Sequence, residues 1–367
     1  MCLPVPATVL DLASVDEPRD VLHRTIQHLV EGGVAVLPLE TGPAACVIAS
    51  GQPPAGVFER AALLLGSVEA AADWLPELTA QQARLVLRSC PGPIIFHVPQ
   101  SEWTLAPALP RAVRDLVTVD SHLTLRVTSA SIVDDILALL PTPLIAAEAG
   151  DWSSEAVSGD WIDLRGGPPP LPVEPSAVQL TDEGYRVLHE GAVSLGDLRQ
   201  RSGLEVVFVC TGNTCRSPMA EAIFRAAAAS QLGVDSAELG EMGLSVRSVG
   251  LAATDGSPAS LDAIDVAGSH GLDLARHRST PARLEDLQRA DLVLTMTQGH
   301  RAAILSQEPS LAQTTLTLAP DGRDISDPIG CGPQEYAACF EEIARSIAMR
   351  LPEILDELRS SESDRLE

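Results

Sequence analysis

The sequence contains no lysine, since all 25 of its basic residues are arginine. This absence excludes a lysine-bearing Walker phosphate loop, a pyridoxal Schiff base and a lysine general base. Enzyme classes that depend on one of these three groups are therefore not expected.

Basic residues are also few relative to acidic ones, at 25 against 50, which gives a formal net charge of -25. An excess of negative charge keeps a protein soluble and repels the phosphate backbone of nucleic acids. Non-specific nucleic-acid binding is therefore disfavoured, whereas a local basic groove is still compatible with the composition.

Long apolar runs are missing as well, because stretches such as "VAVLPL" and "DDILALLPTPLIAA" are short or interrupted. The first residues, "MCLPVPATVLDLASVDEP", carry acids and prolines where a signal peptide needs a basic start and an apolar core. The seven cysteines are an odd number, which favours free thiols over a disulfide framework. We therefore expect a cytoplasmic protein with no membrane partner.

The length of 367 residues predicts two domains, each able to bury its own core. We place the first domain at residues 1–195, a polar linker at 196–203, the second domain at 204–360 and a charged tail at 361–367. The stretch "AVQLTDEGYRVLHEGAV" predicts a strand, a turn and a strand that still belong to the first domain.

Apolar and amphipathic stretches alternate in the C-terminal half. Strands are predicted for "EVVFV", "LSVRSV", "DLVLTM" and "TTLTL", and helices for "SPMAEAIFRAAAASQ", "PASLDAIDVAGSH", "GHRAAILSQ" and "PQEYAACFEEIARSIAMRLPEILDEL". This alternation predicts an α/β domain with a doubly wound, parallel, four-stranded sheet flanked by helices. Such sheets place their functional sites at the carboxyl ends of the strands.

The segment "CTGNTCRSP" lies at one of these strand ends. Its backbone N–H groups and the following helix N-terminus would form a cradle for a phosphate dianion and would favour the thiolate form of Cys210, the candidate nucleophile. Arg216 would clamp two phosphate oxygens, and Ser217 is predicted to cap the helix. The predicted phosphate-binding residues are Thr211, Gly212, Asn213, Thr214, Cys215 and Arg216.

A phosphoryl transfer also needs an acid for the leaving group, and the segment "DGRDISDPIG" supplies one. Asp327 is the candidate because Pro328 stiffens the loop behind it. Asp324 competes with it but lacks a following proline. His300, in "TQGHRAAIL", is expected to be an exposed residue at a helix start.

These motifs resemble the low-molecular-weight protein tyrosine phosphatases, from about residue 206 to the final helix. The family's Cys-x5-Arg-Ser loop is present as "CTGNTCRS", and its late Asp-Pro acid loop as "SDPIG". The resemblance implies that Cys210 forms a phosphocysteine, that Arg216 holds the phosphate and that Asp327 serves as acid and then as base. It also implies a phosphorylated protein as substrate and no metal or organic cofactor.

The resemblance implies supporting roles too. Ser217 would donate a hydrogen bond to the thiolate, and Asn213, Ser248 and His277 would hold the loop in shape. Cys215 would be the family's second cysteine, able to form a reversible disulfide with Cys210 under oxidation.

Two substrates remain open. The family usually walls its pocket with aromatic residues after Asp-Pro, but this chain has Ile329 and Gly330 there, which weakens selection for a phenyl phosphate. Thr214 makes the loop most similar to the bacterial protein arginine phosphatase branch, where a hydroxyl replaces a bulkier aliphatic side chain. Phosphotyrosine and phosphoarginine are therefore both candidates.

The first domain resembles the threonylcarbamoyl-adenylate synthases, also called YrdC-like, through "VEGGVAVLPLETGPAA", "CPGPIIFHVP" and "PTPLIAAEAG". The resemblance implies a twisted α/β domain with a large open cavity for a nucleotide and threonine, and RNA is a further candidate ligand. The family's Lys-x-Arg-Pro and Ser-x-Asn segments are missing, and only Glu40, Thr41 and Ser176 remain of its motifs. We therefore expect a degenerate binding or regulatory module, with a bifunctional tRNA-modification protein as the alternative.

Overall fold

A computed structural model of the chain describes residues 8–14, 17–75, 77–99, 109–148, 151–157, 160–166, 169–182 and 184–359. The chain divides into two compact units, Met1–Ser202 and Gly203–Glu367. The predicted charged tail at 361–367 lies outside the described residues.

Unit 1, Met1–Ser202, is a mixed α/β unit. Its strands are β1 (Thr8–Asp11), β2 (Ala35–Leu39), β3 (Gly42–Ile48), β4 (Ala62–Leu65), β5 (Ile94–Pro99), β6 (Thr118–Val119), β7 (His122–Val127), β8 (Leu144–Ala147), β9 (Ile162–Arg165), β10 (Ser176–Thr181) and β11 (Gly184–His189). Its helices are α1 (Pro18–Val30), α2 (Val68–Ala72), α3 (Ala80–Ser89), α4 (Arg111–Leu116), α5 (Ser131–Leu137) and α6 (Leu195–Ser202).

These strands form one sheet in the order β1-β9-β2-β3-β8-β4-β7-β5-β10-β11, with β6 paired to β7. The sheet buries both faces at its middle, because alternate side chains of β2, β3, β4 and β8 enter different cores. Val36 of β2 belongs to one core, whereas its neighbours Ala35 and Leu37 belong to the other.

The C-terminal part of unit 1 both matches and departs from the prediction. The predicted strand, turn and strand are present as the antiparallel pair β10 and β11. The segment predicted as a linker is instead helical, as α6, and Arg84 of α3 donates a hydrogen bond from Nε to the Ser202 carbonyl oxygen at 3.0 Å. Polar composition suggested a linker, but Leu198 is buried and anchors this helix to the core of unit 1.

Unit 2, Gly203–Glu367, has the predicted parallel sheet. Its strands are β12 (Leu204–Cys210), β13 (Leu244–Gly250), β14 (Leu292–Thr295) and β15 (Thr315–Thr317), in the order β13-β12-β14-β15 with every pair parallel. Its helices are α7 (Arg216–Leu232), α8 (Leu261–Ser269), α9 (Leu284–Arg289), α10 (Gln298–Gln307) and α11 (Pro333–Arg359).

Helices cover both faces of this sheet. Phe208 of β12 packs in a core with residues of α7, α8 and α11, whereas its neighbours Val207 and Val209 pack with Leu287 of α9 and Ile304 of α10. The four predicted strands and four predicted helices are all present, and the short helix α9 is additional. No helix of the described residues is long and apolar enough to cross a membrane.

Candidate active site

The loop between β12 and α7 occupies the carboxyl end of a central strand. Cys210 ends β12, and α7 begins at Arg216 with Cys215 as the residue that precedes it. The prediction that Ser217 caps this helix is wrong, because Ser217 is already its second residue. Its hydroxyl turns back to the loop instead, and Cys215 makes no side-chain capping bond.

Cys210 is 3% exposed and its sulfur has two polar neighbours. The Asn213 backbone N–H donates to Sγ at 3.2 Å, and the Ser217 hydroxyl oxygen lies 3.0 Å from the same atom. Hydrogen-bond donors around a sulfur favour its charged form over its neutral form. Two hydrogen-bond donors therefore lie next to the buried sulfur at the end of β12.

Asn213 holds the loop in its shape. It is fully buried, and its φ of 54° lies in the left-handed region that asparagine tolerates better than most residues. Its side-chain Nδ2 donates to the hydroxyls of Ser217 and Ser248, both at 2.9 Å, and its Oδ1 accepts the Thr280 N–H at 2.8 Å. His277 Nε2 contacts the Asn213 carbonyl oxygen at 2.8 Å. The structure thus joins the three residues that the resemblance names as loop supports.

Gly250, at the end of β13, lets that strand approach the loop closely. A Cβ atom there would lie 2.7 Å from the Thr211 carbonyl oxygen and 2.8 Å from the Asn213 nitrogen. Both neighbours are backbone atoms and cannot move without distorting the loop, so a side chain does not fit at this position.

Arg216 and Asp327 meet at the same place. Arg216 is 5% exposed and donates from Nη1 to the Ile325 carbonyl oxygen at 3.2 Å and from Nη2 to Asp327 Oδ2. The Ile329 N–H donates to the other carboxylate oxygen of Asp327 at 3.3 Å. The arginine that would clamp a phosphate and the acid that would protonate its leaving group therefore face one another.

Asp324 is engaged elsewhere. Its Oδ1 accepts the backbone N–H of Gln298 at 2.7 Å, at the first residue of α10. A carboxylate at this position satisfies a free N–H and is favoured by the helix dipole. This contact gives Asp324 a structural function, whereas the carboxylate of Asp327 contacts Arg216.

His300 departs from its prediction. It is only 9% exposed, and its ring joins α10 to the phosphate loop through a contact of 2.8 Å between Nε2 and Thr211 Oγ1. Burial, followed by the positive charge of Arg216, lowers the pKa of His300. Position near a helix start suggested exposure, but nothing in the local sequence shows that this helix end lies against the loop.

Cys215 is buried beneath the loop. Its sulfur lies 3.1 Å from the Tyr336 hydroxyl and 3.3 Å from the Ser260 hydroxyl. Burial, together with the bond to Cys215, raises the pKa of Tyr336 to about 12. The six cysteines that the structure describes are all free.

The outer part of the site is aliphatic and polar. Ile329, which follows the Asp327–Pro328 pair, is 65% exposed. Thr214 is half-buried, and its Oγ1 lies 3.7 Å from Cys215 Sγ. At the position where the resemblance predicts an aromatic ring, this chain therefore presents an isoleucine.

The remnant motif residues of unit 1 do not form one cluster. Ser176 is buried and binds only backbone, donating to the Val193 carbonyl oxygen at 2.8 Å. Glu40 and Thr41 instead surround the buried Arg126: Glu40 Oε1 lies 3.1 Å from Nη2, and Thr41 Oγ1 accepts from Nη2 at 2.9 Å. Arg126 also donates to Glu148. The sequence did not single out Arg126, whose partners come from three other strands or strand ends.

A cavity of about 190 Å³ lies beside Arg126 within unit 1. Its polar lining residues are Arg60, His97, Thr124, Arg126, Glu148 and Asp151. Arg126 Nε and Thr124 Oγ1 are buried and have no hydrogen-bond partner among the described residues. Across that same part of the chain, no three histidine, cysteine or acidic side chains are grouped to hold a metal ion.

Comparison with known proteins gives matches to phosphatases. The family model for "Low molecular weight phosphotyrosine protein phosphatase" matches residues 205–362. A protein-arginine-phosphatase of Geobacillus stearothermophilus is 38% identical over 143 residues, which are 38% of this chain and 87% of that protein. The protein-arginine-phosphatase of Bacillus subtilis is 34% identical over 155 residues, which cover 40% of this chain and 97% of that protein.

A third relative carries a different substrate in its name. The probable low molecular weight protein-tyrosine-phosphatase EpsP of Ralstonia nicotianae is 31% identical over 150 residues, covering 41% of this chain and 94% of that protein. Together with the parallel sheet and the cysteine loop, these matches define the chain as a phosphoric monoester hydrolase. It belongs to the low molecular weight phosphotyrosine protein phosphatase family.

Proposed function

We propose that unit 2 is a cysteine-dependent protein phosphatase that acts through a phosphocysteine at Cys210. One observation carries this proposal. The buried sulfur of Cys210 has two adjacent hydrogen-bond donors, and Arg216, at the end of the same loop, contacts the carboxylate of Asp327, which is followed by a proline. Nucleophile, phosphate clamp and acid are the three groups that such a transfer requires.

In the first step, the Cys210 thiolate attacks phosphorus while the bond from phosphorus to the leaving atom breaks. Asp327, in its protonated form, gives its proton to that atom, so the leaving group departs neutral. In the second step, water attacks the phosphocysteine, Asp327 takes a proton from the water, and the S–P bond breaks. Inorganic phosphate leaves, and Cys210 is again a thiolate.

Arg216 stabilises the charge on the equatorial phosphate oxygens during both steps. In the structure, Arg216 Nη2 donates a hydrogen bond to Asp327. A bound phosphate would accept this hydrogen bond in place of Asp327. That exchange releases the Asp327 carboxyl group to face the leaving atom. A fixed guanidinium with two donors suits a trigonal arrangement of oxygens.

Two substrates fit the site, phosphoarginine and phosphotyrosine. Phosphoarginine is favoured by the hydroxyl of Thr214, by the exposed aliphatic Ile329 where an aromatic wall is expected, and by the names of two matched relatives. Phosphotyrosine is favoured by the description of the family model and by the third relative.

The test compares release of phosphate from matched phosphoarginine and phosphotyrosine peptides by the wild type, Thr214→Ile and Cys210→Ser. A preference for phosphoarginine that Thr214→Ile abolishes would assign the arginine substrate. A preference for phosphotyrosine would reject a specificity role for Thr214. Turnover by Cys210→Ser at the wild-type rate would reject the phosphocysteine mechanism altogether.

For unit 1 we propose a ligand-binding module that takes a nucleotide and has no synthase activity. The cavity beside Arg126 opens toward a groove of about 720 Å³ that shares Arg60, Ile95, Glu148 and Asp151 with it. Because Glu40 and Glu148 already balance Arg126, the site favours the uncharged part of a nucleoside over its phosphates. RNA is the alternative ligand.

Tryptophan fluorescence can test this, since all four tryptophans lie within residues 1–202. We expect adenosine or ATP at a hundredfold excess over its Kd to stabilise unit 1 by about 2.7 kcal/mol, seen as a higher melting temperature. Thr124→Val should remove the shift, and Arg24→Gln, at an exposed position of α1, should not. Absence of any shift, with binding of a transfer RNA instead, would favour the RNA alternative.

A further inference from the structure

His300 connects two threonine hydroxyls across the active site. Its Nδ1 lies 2.9 Å from Thr297 Oγ1, and its Nε2 lies 2.8 Å from Thr211 Oγ1. Thr297 precedes α10, and Thr211 directly follows the nucleophile Cys210. Thr211 is exposed, whereas His300 is buried, so the ring supports the loop from behind.

The hydrogen bonds of Thr297 favour one direction of this chain of contacts. Thr297 Oγ1 accepts the His300 backbone N–H at 3.1 Å with one lone pair, and its hydroxyl proton has Nδ1 of His300 within reach at 2.9 Å. We take Nδ1 of the neutral imidazole as the acceptor of that proton, because the hydroxyl then uses its donor as well as an acceptor, and this tautomer carries the ring proton on Nε2. Nε2–H then donates to Thr211 Oγ1, so the Thr211 hydroxyl proton is left for another acceptor.

The surroundings of His300 favour the neutral ring over the charged one. Burial is the main cause that lowers the pKa of His300, and the Arg216 guanidinium is the second. The carboxylates of Asp327 and Asp324 act in the opposite direction but weigh less. A protonated ring would carry hydrogens on both nitrogens, so it would lose its bond from the Thr297 hydroxyl and repel Arg216.

We propose that neutral His300 is a positioning residue, which orients the Thr211 hydroxyl as a hydrogen-bond donor to an acceptor atom of the bound phosphorylated substrate. Thr211 is the residue in contact with substrate, and His300 acts only through it. The proposal adds a specificity-determining hydroxyl at the exposed side of the nucleophile. It rests on the phosphocysteine mechanism proposed for this site.

The test is a double-mutant cycle on kcat/KM with the better of the two phosphopeptides, using Thr211→Val, His300→Leu and the pair. One hydrogen bond contributes about 1 kcal/mol, so each single substitution should lower kcat/KM about fivefold. In the Thr211→Val background, His300→Leu should lower it less than about twofold, because the two act as one unit. Gln307→Ala, exposed on the same helix, is the control and should match the wild type.

Conservative variants distinguish the loss of a hydrogen bond from a general folding defect. Thr211→Ser keeps the hydroxyl and should retain kcat/KM within about twofold. His300→Gln keeps an N–H donor for Thr211 without a titrating ring, so it should restore most of the activity lost in His300→Leu. It should also weaken the decline of kcat/KM in acid, because the wild-type ring charges as the pH falls through its lowered pKa, whereas glutamine does not titrate.

The outcomes separate this inference from the proposed mechanism. Additive losses in the cycle, or full activity of Thr211→Val, would overturn the role of His300 while leaving Cys210 as nucleophile. An unchanged acid limb in His300→Gln would also count against it. Turnover by the Cys210→Ser variant at the wild-type rate would reject the phosphocysteine mechanism itself.

Discussion

The hydroxyl oxygen of Ser217 lies 3.0 Å from the sulfur of Cys210, seven positions earlier in the chain. The same oxygen accepts from Asn213 Nδ2 at 2.9 Å, and it can give its proton either to the sulfur or to the Val249 carbonyl oxygen at 3.3 Å. Rotation about the Cβ–Oγ bond of Ser217 can therefore direct its one proton to either of these two acceptors.

Ser217→Ala should lower kcat about tenfold, because a hydrogen bond to a charged group contributes about 1.5 kcal/mol or more. The thiolate form of Cys210 would become less favoured, so alkylation by iodoacetamide at neutral pH should slow as well. Ser306→Ala, on the exposed side of α10, is the matched control. Equal alkylation rates in the wild type and Ser217→Ala would show that Ser217 does not stabilise the thiolate.

Asp327→Asn should lower kcat about a hundredfold or more for a peptide substrate, since a positioned general acid contributes about 10² to 10⁴ in rate. The loss should be smaller for an activated aryl phosphate, whose leaving group needs no proton. Asp324→Asn is the comparison, because its carboxylate caps α10 instead. If Asp324→Asn lost the larger share of activity, the assignment of the acid would be reversed.

Asn213→Ala should destabilise unit 2 by about 2 to 4 kcal/mol, because it leaves several buried partners without a hydrogen bond. Alanine is also disfavoured at a φ of 54°. Differential scanning calorimetry of the full chain measures the loss, while tryptophan fluorescence should show an unchanged unit 1. A melting profile identical to that of the wild type would contradict the role of Asn213 in holding the loop.

Cys215→Ser should keep most of the activity but lose recovery after oxidation. Treatment with hydrogen peroxide should inactivate both proteins, and dithiothreitol should restore only the wild type if Cys215 forms a disulfide with Cys210. Cys331→Ser serves as control, since Cys331 is exposed and lies outside the loop. Full recovery of Cys215→Ser would rule out protection by this cysteine.

The lowered pKa of His300 predicts a loss of unit 2 stability in acid. The folded unit prefers the neutral ring, so this contribution is fully present above the unfolded pKa of about 6.5 and is lost as pH falls toward the folded pKa. Calorimetry at pH 7.5 and pH 5 should therefore show a larger fall in Tm for the wild type than for His300→Gln. Equal falls would indicate that His300 does not titrate differently on folding.

Much of unit 2 follows from local sequence. An apolar run that ends in Cys210, a loop rich in small polar residues and a helix-forming run from Arg216 specify a strand, a phosphate-type loop and a helix without long-range information. Strands that alternate with helices imply parallel pairing, and this prediction is confirmed. The short α9 was missed because its six residues carry little periodicity.

Contacts between distant segments were not predictable in this way. Helix α6 looked like a linker because only Leu198 and Ser202 are buried in an otherwise polar stretch. His300 looked exposed, yet it contacts Thr211, 89 positions away. Arg126 gathers Glu40 and Glu148 from strand ends that are far apart in sequence.

For unit 2, the sequence by itself therefore determined the family, the order of the main strands and helices, and the candidate nucleophile, clamp and acid, because each depends on a short run of residues. Only the tertiary structure decided that Asp324 caps a helix while Asp327 meets Arg216, and that His300 is buried behind the loop. Burial and partner choice depend on which segments pack together, and periodicity within one segment carries no information about its neighbour.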